Sequence, residues 1–348
     1  MEGSAKPKLL ITGINGYIGA WTTLYALESG EYEVRGTVRD TTNEKKIQVL
    51  KDTLGDKFDE LELVSADLLD KESLTKAADG CEYILHLASP YPLSNPKNED
   101  EVIKPAVEGT TGILEAVKGG SVKRIVITSS CTAVMDHTKG DIDVDETSWP
   151  SNVDTLSAYY KSKIYAEKAA WDFIEKLPEE EKIEICTINP GVVTGPLLNK
   201  GTGASQKLFT DMMNGTTPSC LQIYFPCVDV RDVADAHLKA LKAEPNRRYI
   251  MSEDTYKLED LGKIMHEEFS QYGYKVTHKP MWKSTAWLAS FFIKDVKTYY
   301  SCWNVRCHVK NDAAKDILGI NFRTMKESLK DMGISLIKHG FVPDKINK

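Results

Sequence analysis

The chain has 348 residues, 41% apolar and 27% charged, with Lys+Arg 44 against Asp+Glu 51 for a formal charge of −7. This is average globular composition, which excludes whole-chain disorder, collagen and coiled coil. The acidic balance speaks against nucleic acid as a partner, since nonspecific binding needs basic surface to displace counterions from phosphates.

The length predicts one large domain with an elaboration, or two domains sharing a core. The seven cysteines are odd in number and scattered, with no C-x-x-C pair. Reduced thiols in a cytoplasmic protein are therefore expected, with no disulfide framework and no metal site. The polar start MEGSAKPK runs straight into a strand pattern, so no signal peptide is expected. The longest apolar stretch near the C-terminus, Ala286 to Ile293, is interrupted by Ser290 and far too short to span a bilayer. No membrane partner is expected.

In chain order, Lys8–Thr12, Glu33–Val38, Leu61–Ser65, Tyr83–Ala88, Arg124–Thr128 and Glu184–Asn189 read as six strands. Several are apolar nearly throughout, as strands covered on both faces are. Helical patterns lie near 16–29, 70–79, 100–118 and 157–176. This alternation predicts an α/β fold, a Rossmann-type doubly wound parallel sheet. Residues 195–221, rich in Gly, Thr, Ser and Asn, read as a mobile loop segment, and 228–243 as an amphipathic helix returning to the first domain. The remainder reads as a smaller C-terminal α/β substrate domain, with Trp282, Trp287, Phe291, Phe292 and Trp303 expected mainly in its core and some of them lining the substrate cleft. The expected division is 1–194 and 222–245 for the nucleotide domain, 195–221 and 246–348 for the substrate-binding region.

Gly13-Ile14-Asn15-Gly16-Tyr17-Ile18-Gly19 follows the first strand and opens the first helix. G-x-x-G-x-x-G suits a tight turn whose backbone can approach a pyrophosphate, with the helix N-terminus supplying free N–H groups. The second strand ends in Arg39 and Asp40, with Lys45 and Lys46 shortly after. A guanidinium there can fork onto a 2′-phosphate, whereas Asp40 would serve the ribose hydroxyl of NAD. NADP(H) is thus favoured over NAD(H). Asp67, after the third strand, either accepts from an adenine amino group or caps the helix that follows.

Tyr159 and Lys163 form Y-x-x-x-K, one helical turn apart, and no other tyrosine in the chain has a lysine at that spacing. Ser130, in Ser129-Ser130, ends the fifth strand at the edge where open α/β sheets bind ligands. A phenol, an ammonium and a hydroxyl brought together downstream of a dinucleotide turn point to proton-coupled hydride chemistry. His86 and His237 read as packed structural histidines.

The stretches ITGINGYIGA, VRGTVRD, SADL, LHLASP, RIVITSS, YYKSKIYAEKAAW, INPGVVTGP and VDVRDVADAHL cover about the first 245 residues. In them the chain resembles the extended short-chain dehydrogenase/reductase superfamily, NAD-dependent epimerase/dehydratase type, and within it the dihydroflavonol reductase and cinnamoyl-CoA reductase branch. The resemblance implies a catalytic triad of Ser130, Tyr159 and Lys163. It places Gly13, Gly16, Gly19, Arg39, Lys46 and Asp67 at cofactor positions, with Pro190, Gly191 and Val192 flanking the nicotinamide. Asn15, Tyr17 and Ile18 within the turn, Leu68 beside Asp67, and Ala88 and Ser89 after the fourth strand complete the expected cofactor contacts.

Plant dihydroflavonol reductases carry asparagine five residues after the serine. Met135 stands there instead and offers no donor to a polyhydroxylated ring. The expected activity is NADPH-dependent reduction of a small aldehyde or ketone, or oxidation of the corresponding alcohol, by a monomer or homodimer. Tyr91, Met135, Phe209 and Tyr224 are the expected pocket wall. Hydroxysteroid dehydrogenation, sugar-nucleotide epimerisation or dehydration, and a non-enzymatic NADP(H) redox sensor are the alternatives.

Overall fold

The computed structural model describes residues 5–89, 98–136, 140–201, 203–300 and 302–346. Strands and helices alternate through the first half as β1 (Lys8–Thr12), α1 (Tyr17–Ser29), β2 (Glu33–Val38), α2 (Glu44–Leu54), β3 (Glu62–Ser65) and α3 (Lys71–Ala78). There follow β4 (Tyr83–His86), α4 (Asp100–Val117), β5 (Arg124–Thr128), the short β6 (Ile142–Val144), α5 (Ala158–Glu175) and β7 (Glu184–Pro190). The apolar strands are buried on both faces. Leu9, Ile11, Leu85, Val126 and Ile188 pack into one apolar layer, and Leu10, Ile84, Ile125 and Ile185 into the other. An even distribution of Val, Ile and Leu along a strand is what a parallel sheet between two helical layers requires.

The second half runs β8 (Val192–Thr194), α6 (Ala204–Asn214), β9 (Tyr224–Asp229), α7 (Val230–Ala240), β10 (Arg247–Met251), β11 (Asp254–Lys257) and α8 (Leu258–Phe269). It ends with α9 (Lys283–Ala289), α10 (Lys294–Tyr300), β12 (Cys307–Val309), α11 (Asp312–Asp316) and α12 (Met325–Lys338). The large sheet has seven parallel strands in the order β10-β7-β5-β4-β1-β2-β3. Strand order reverses between β1 and β4, so the crevice at their carboxyl ends is the topological switch point. A three-stranded sheet β11-β9-β8 and the pair β12-β6 lie beyond it.

Three expectations need correction. Residues 195–221 are not all loop. Phe209, Met212 and Met213 give α6 an apolar face that seats in the second core with Met265, Phe269 and Met332. The segment 247–251, assigned on sequence to the substrate region, is β10, the edge strand of the large sheet, paired with β7. The aromatic residues expected in the C-terminal core are largely outside it: Trp282 is 77% and Phe292 84% exposed, and Trp287 and Phe291 are also exposed. The second core is filled instead by the methionine-rich faces of α6, α8 and α12.

Candidate active site

The turn between β1 and α1 is built on glycine for steric reasons. Gly13 has φ +74, and a Cβ on it would lie 2.9 Å from the Ala88 backbone; one on Gly19 would lie 2.2 Å from the Gly13 carbonyl oxygen. The turn closes through Gly16 N–H donating to Gly13 O at 2.9 Å. Gly16 caps α1 without a side-chain hydrogen bond, and no acidic residue lies in the first turn. An anion at this N-terminus would meet open N–H groups and no repelling carboxylate. Asn15 Oδ1 is buried without a partner among the described residues. A glycine cradle and an orphaned buried acceptor both fit a dinucleotide here.

Tyr17 and Ile18 open α1. Tyr17 is half-buried and its hydroxyl donates to the Gly195 carbonyl at 2.5 Å, while Trp21 Nε1 donates to Pro196 O at 2.8 Å. Ile18 packs against the large core.

At the end of β2, Arg39 and Asp40 are both exposed. Asp40 Oδ1 accepts from Thr42 N–H at 2.8 Å and from Thr42 Oγ1 at 2.6 Å, and the Thr42 hydroxyl holds its carboxyl below the usual range. Lys46 lies exposed in the first turn of α2. Asp67 Oδ1 accepts from Leu69 N–H at 2.9 Å. The cap of α3 is Asp70, so Asp67 does not cap that helix. Leu68 packs against the α3–α4 apolar layer.

The carboxyl ends of β4 and β5 carry the reactive groups. Ala88 N–H donates to Thr12 Oγ1 at 3.1 Å, which ties the end of β4 to the end of β1. Ser130 follows β5; its Oγ accepts from Thr132 N–H at 3.2 Å, which leaves its own proton free to donate. Tyr159 and Lys163 sit in the first two turns of α5, which packs along α4 and against the short helical turn at Cys131–Ala133. Lys163 Nζ donates to Ser89 Oγ at 3.0 Å, which brings the ammonium of α5 to the end of β4. Burial lowers that ammonium to about 8, so it stays largely cationic at neutral pH. Tyr159 is 41% exposed, its ring edge-on to Tyr160.

Beneath these groups is a buried ionic network that sequence reasoning missed. Glu167, one turn after Lys163, accepts from Arg248 Nε at 2.6 Å, Asn189 Nδ2 at 2.7 Å and Thr187 Oγ1 at 3.2 Å, and from Ser129 Oγ. Asn189 Nδ2 also reaches the Ser130 carbonyl at 3.2 Å, and the Arg248 guanidinium stacks on Trp149 at 3.9 Å. The signal was present as Y-x-x-x-K-x-x-x-E, three side chains on successive turns.

Pro190 ends β7, Gly191 N–H donates to Met251 O at 3.0 Å, and Val192 opens β8. Of the expected pocket wall, Met135 and Phe209 are instead core residues. Met135 packs with Cys131, Val134 and Cys307, and Phe209 with the methionines of the second core. Tyr224, on β9, lies under Lys257 Nζ at 5.3 Å, and Tyr91 falls outside the described residues. His86 and His237 are buried, their side chains hydrogen-bonded to Thr12 and Thr128, as structural histidines should be. The groove of about 820 Å³ lined by Trp149, Trp171 and Lys168 touches none of Ser130, Tyr159 or Lys163.

A doubly wound parallel sheet with a glycine turn at its switch point, beside a helix bearing Y-x-x-x-K, defines an extended short-chain dehydrogenase/reductase. The chain belongs to the NAD-dependent epimerase/dehydratase family, whose model matches residues 9–251. It is 32% identical to tetraketide alpha-pyrone reductase 1 of Arabidopsis thaliana, over 97% of this chain and 98% of that one. It is likewise 32% identical to cinnamoyl-CoA reductase 1 of Petunia hybrida, over 96% and 93%. Among solved structures, a yeast methylglyoxal/isovaleraldehyde reductase complexed with NADPH superposes with TM-score 0.77 at 26% identity, covering 95% of this chain and 98% of that chain. Vestitone reductase from alfalfa superposes with TM-score 0.75 at 25% identity, covering 97% and 100%. The resemblance read from the sequence motifs, and the Rossmann-type sheet, are borne out.

Proposed function

We propose that this chain is an NADPH-dependent carbonyl reductase acting on a small aldehyde or ketone. The observation that carries the reading is the Lys163 ammonium, one turn from the Tyr159 phenol and hydrogen-bonded to Ser89 at the switch point. The glycine turn and the N-terminus of α1 would hold NADPH, which when bound would supply the hydride for the carbonyl carbon. Ser130, with its hydroxyl proton uncommitted, donates to the carbonyl oxygen and holds it as charge develops. Tyr159 delivers its phenolic proton to that oxygen. Lys163 stabilises the phenolate left behind, an opposite charge favouring the ionised form of its neighbour. Arg39, exposed at the end of β2, would take the 2′-phosphate, with Oδ1 of the neighbouring Asp40 held back by Thr42. The residues after Ser130 are Cys131 and Thr132, so the acid that dehydration chemistry places there is missing.

The test is NADPH oxidation followed spectrophotometrically across aldehydes, diketones and sugar nucleotides. Turnover is expected with the first two. Tyr159→Phe is expected to lower kcat by about 10²–10⁴-fold, the usual contribution of a positioned acid, with NADPH affinity nearly unchanged. Retained turnover in that variant refutes the proton-donor assignment.

A further inference from the structure

Half of the exposed large apolar side chains among the described residues fall in one twelve-residue segment: Trp282, Trp287, Leu288, Phe291, Phe292 and Ile293. The segment is fixed at both ends. Cys220 N–H donates to Lys279 O at 2.8 Å and Met281 N–H to Cys220 O at 2.7 Å, and beyond it Tyr299 of α10 packs edge-on to Phe225 of β9 at 6.0 Å. Between these anchors α9 is turned outward. Ser284, Trp287, Leu288 and Phe291 follow i, i+3, i+4, i+7 and make one stripe, confirmed by the Trp287–Phe291 edge contact at 5.1 Å. Only Ala286 of this helix is buried. A short helix that faces the protein with Ala286 and the solvent with Trp287 and Leu288, continued by exposed Phe291 and Phe292 in the turn after it, lacks its apolar partner.

Charge identifies the partner. From Phe269 to Ile293 the chain carries Lys275, Lys279 and Lys283, all exposed, and no Asp or Glu, in a protein whose net charge is −7. Exposed aromatic and aliphatic side chains on a short helix that starts at Lys283, preceded by a segment with lysines and no carboxylate, have the composition of a membrane-interface element. A second copy of the chain fits poorly. A two-fold contact would bring together two copies of the same lysine-bearing segment, which has no carboxylate to pair them.

We propose that the α9 face seats this protein on an anionic lipid surface, with the tryptophan and phenylalanine side chains inserted at headgroup depth and the lysines over the phosphates. This is surface attachment. No helix among the described residues is long and apolar enough to cross a membrane. The inference stands independently of the reductase reading.

The experiment is flotation of the full chain with phosphatidylcholine vesicles, with and without phosphatidylserine, beside light scattering of the protein alone. Binding to the phosphatidylserine vesicles is expected to exceed binding to phosphatidylcholine alone by about tenfold, with a blue shift of tryptophan emission, and to weaken as salt rises. The double variant Trp287→Ser/Phe292→Ser is expected to lose vesicle binding while keeping its thermal midpoint and NADPH-oxidation rate. Wild-type protein that stays off phosphatidylserine vesicles at low salt overturns the proposal. So does a dimer that the double variant converts to monomer, which makes a second copy the occupant. A raised KM in that variant without vesicles makes the patch part of the substrate cleft and equally overturns it.

Discussion

Asp40 and Arg39 are neighbours with opposite prospects. The carboxylate accepts two hydrogen bonds from Thr42 and is folded back onto the start of the α2 loop, whereas the guanidinium is exposed at the mouth of β2. Removing the guanidinium should therefore separate the two nicotinamide cofactors. Arg39→Ala is expected to raise KM for NADPH by about tenfold or more, the loss of one bidentate charge-assisted contact, and to leave KM for NADH nearly unchanged. Steady-state kinetics with both cofactors decide it, and equal effects contradict the 2′-phosphate role. At this scale the candidate groups are legible in the sequence, because Tyr159, Lys163 and the three glycines stand at spacings that helix and turn geometry impose. It does not carry partners set by the tertiary fold. That Ser89 meets Lys163, 74 residues away, follows only once β4 and α5 are placed side by side.

Along α5 the same stripe that presents Tyr159 and Lys163 continues to Glu167, whose carboxylate is fully buried and held by Arg248 of the edge strand. The helix is thereby fixed to β5 through Ser129, to β7 through Thr187 and Asn189, and to β10 through Arg248. Glu167→Ala leaves a buried guanidinium without its counter-charge and is expected to cost about 3–5 kcal/mol of stability. Urea unfolding measures this, and a loss under about 1 kcal/mol would mean that solvent reaches the pair. The helices α1, α4 and α5 are legible within a residue or two of their ends. Two others were not. The polar composition around α6 concealed its apolar face, because Phe209, Met212 and Met213 occupy few positions in a Gly- and Thr-rich stretch. The aromatic run at 282–293 suggested a core because composition reports how apolar a helix is and not which way it turns.

Over the whole molecule, acid stability rests in part on two buried imidazoles. Burial holds His86 and His237 at about 4, with the nearby Lys163 charge adding to the effect on His86. In the unfolded chain both return to about 6.5. As pH falls from 6.5 to 4 the unfolded chain takes up two protons that the native state refuses, so stability complete above 6.5 is lost progressively across that window. Each histidine contributes up to about 3 kcal/mol of the loss. The urea midpoint is expected to drop markedly between pH 7 and pH 5 and to drop less in His237→Asn; a flat profile in the wild type contradicts neutral burial. The large sheet was readable because its strands are apolar on both faces. Which later strand completes its edge was not, because Arg247–Met251 looks no different from a strand of a small separate sheet.

That edge strand has a consequence for any attempt to divide the chain. β8 at 192–194 belongs to the three-stranded sheet, yet β10 at 247–251 belongs to the seven-stranded one, and β11 at 254–257 returns to the smaller. The two sheets thus claim overlapping stretches of polypeptide, and no single cleavage point gives each its full set of strands. Any cut between Thr194 and Met251 deprives the large sheet of β10 and parts β8 from β11, whereas a cut just after Met251 keeps all seven large-sheet strands only together with β8 and β9, so truncation yields the nucleotide half only with two strands of the smaller sheet attached.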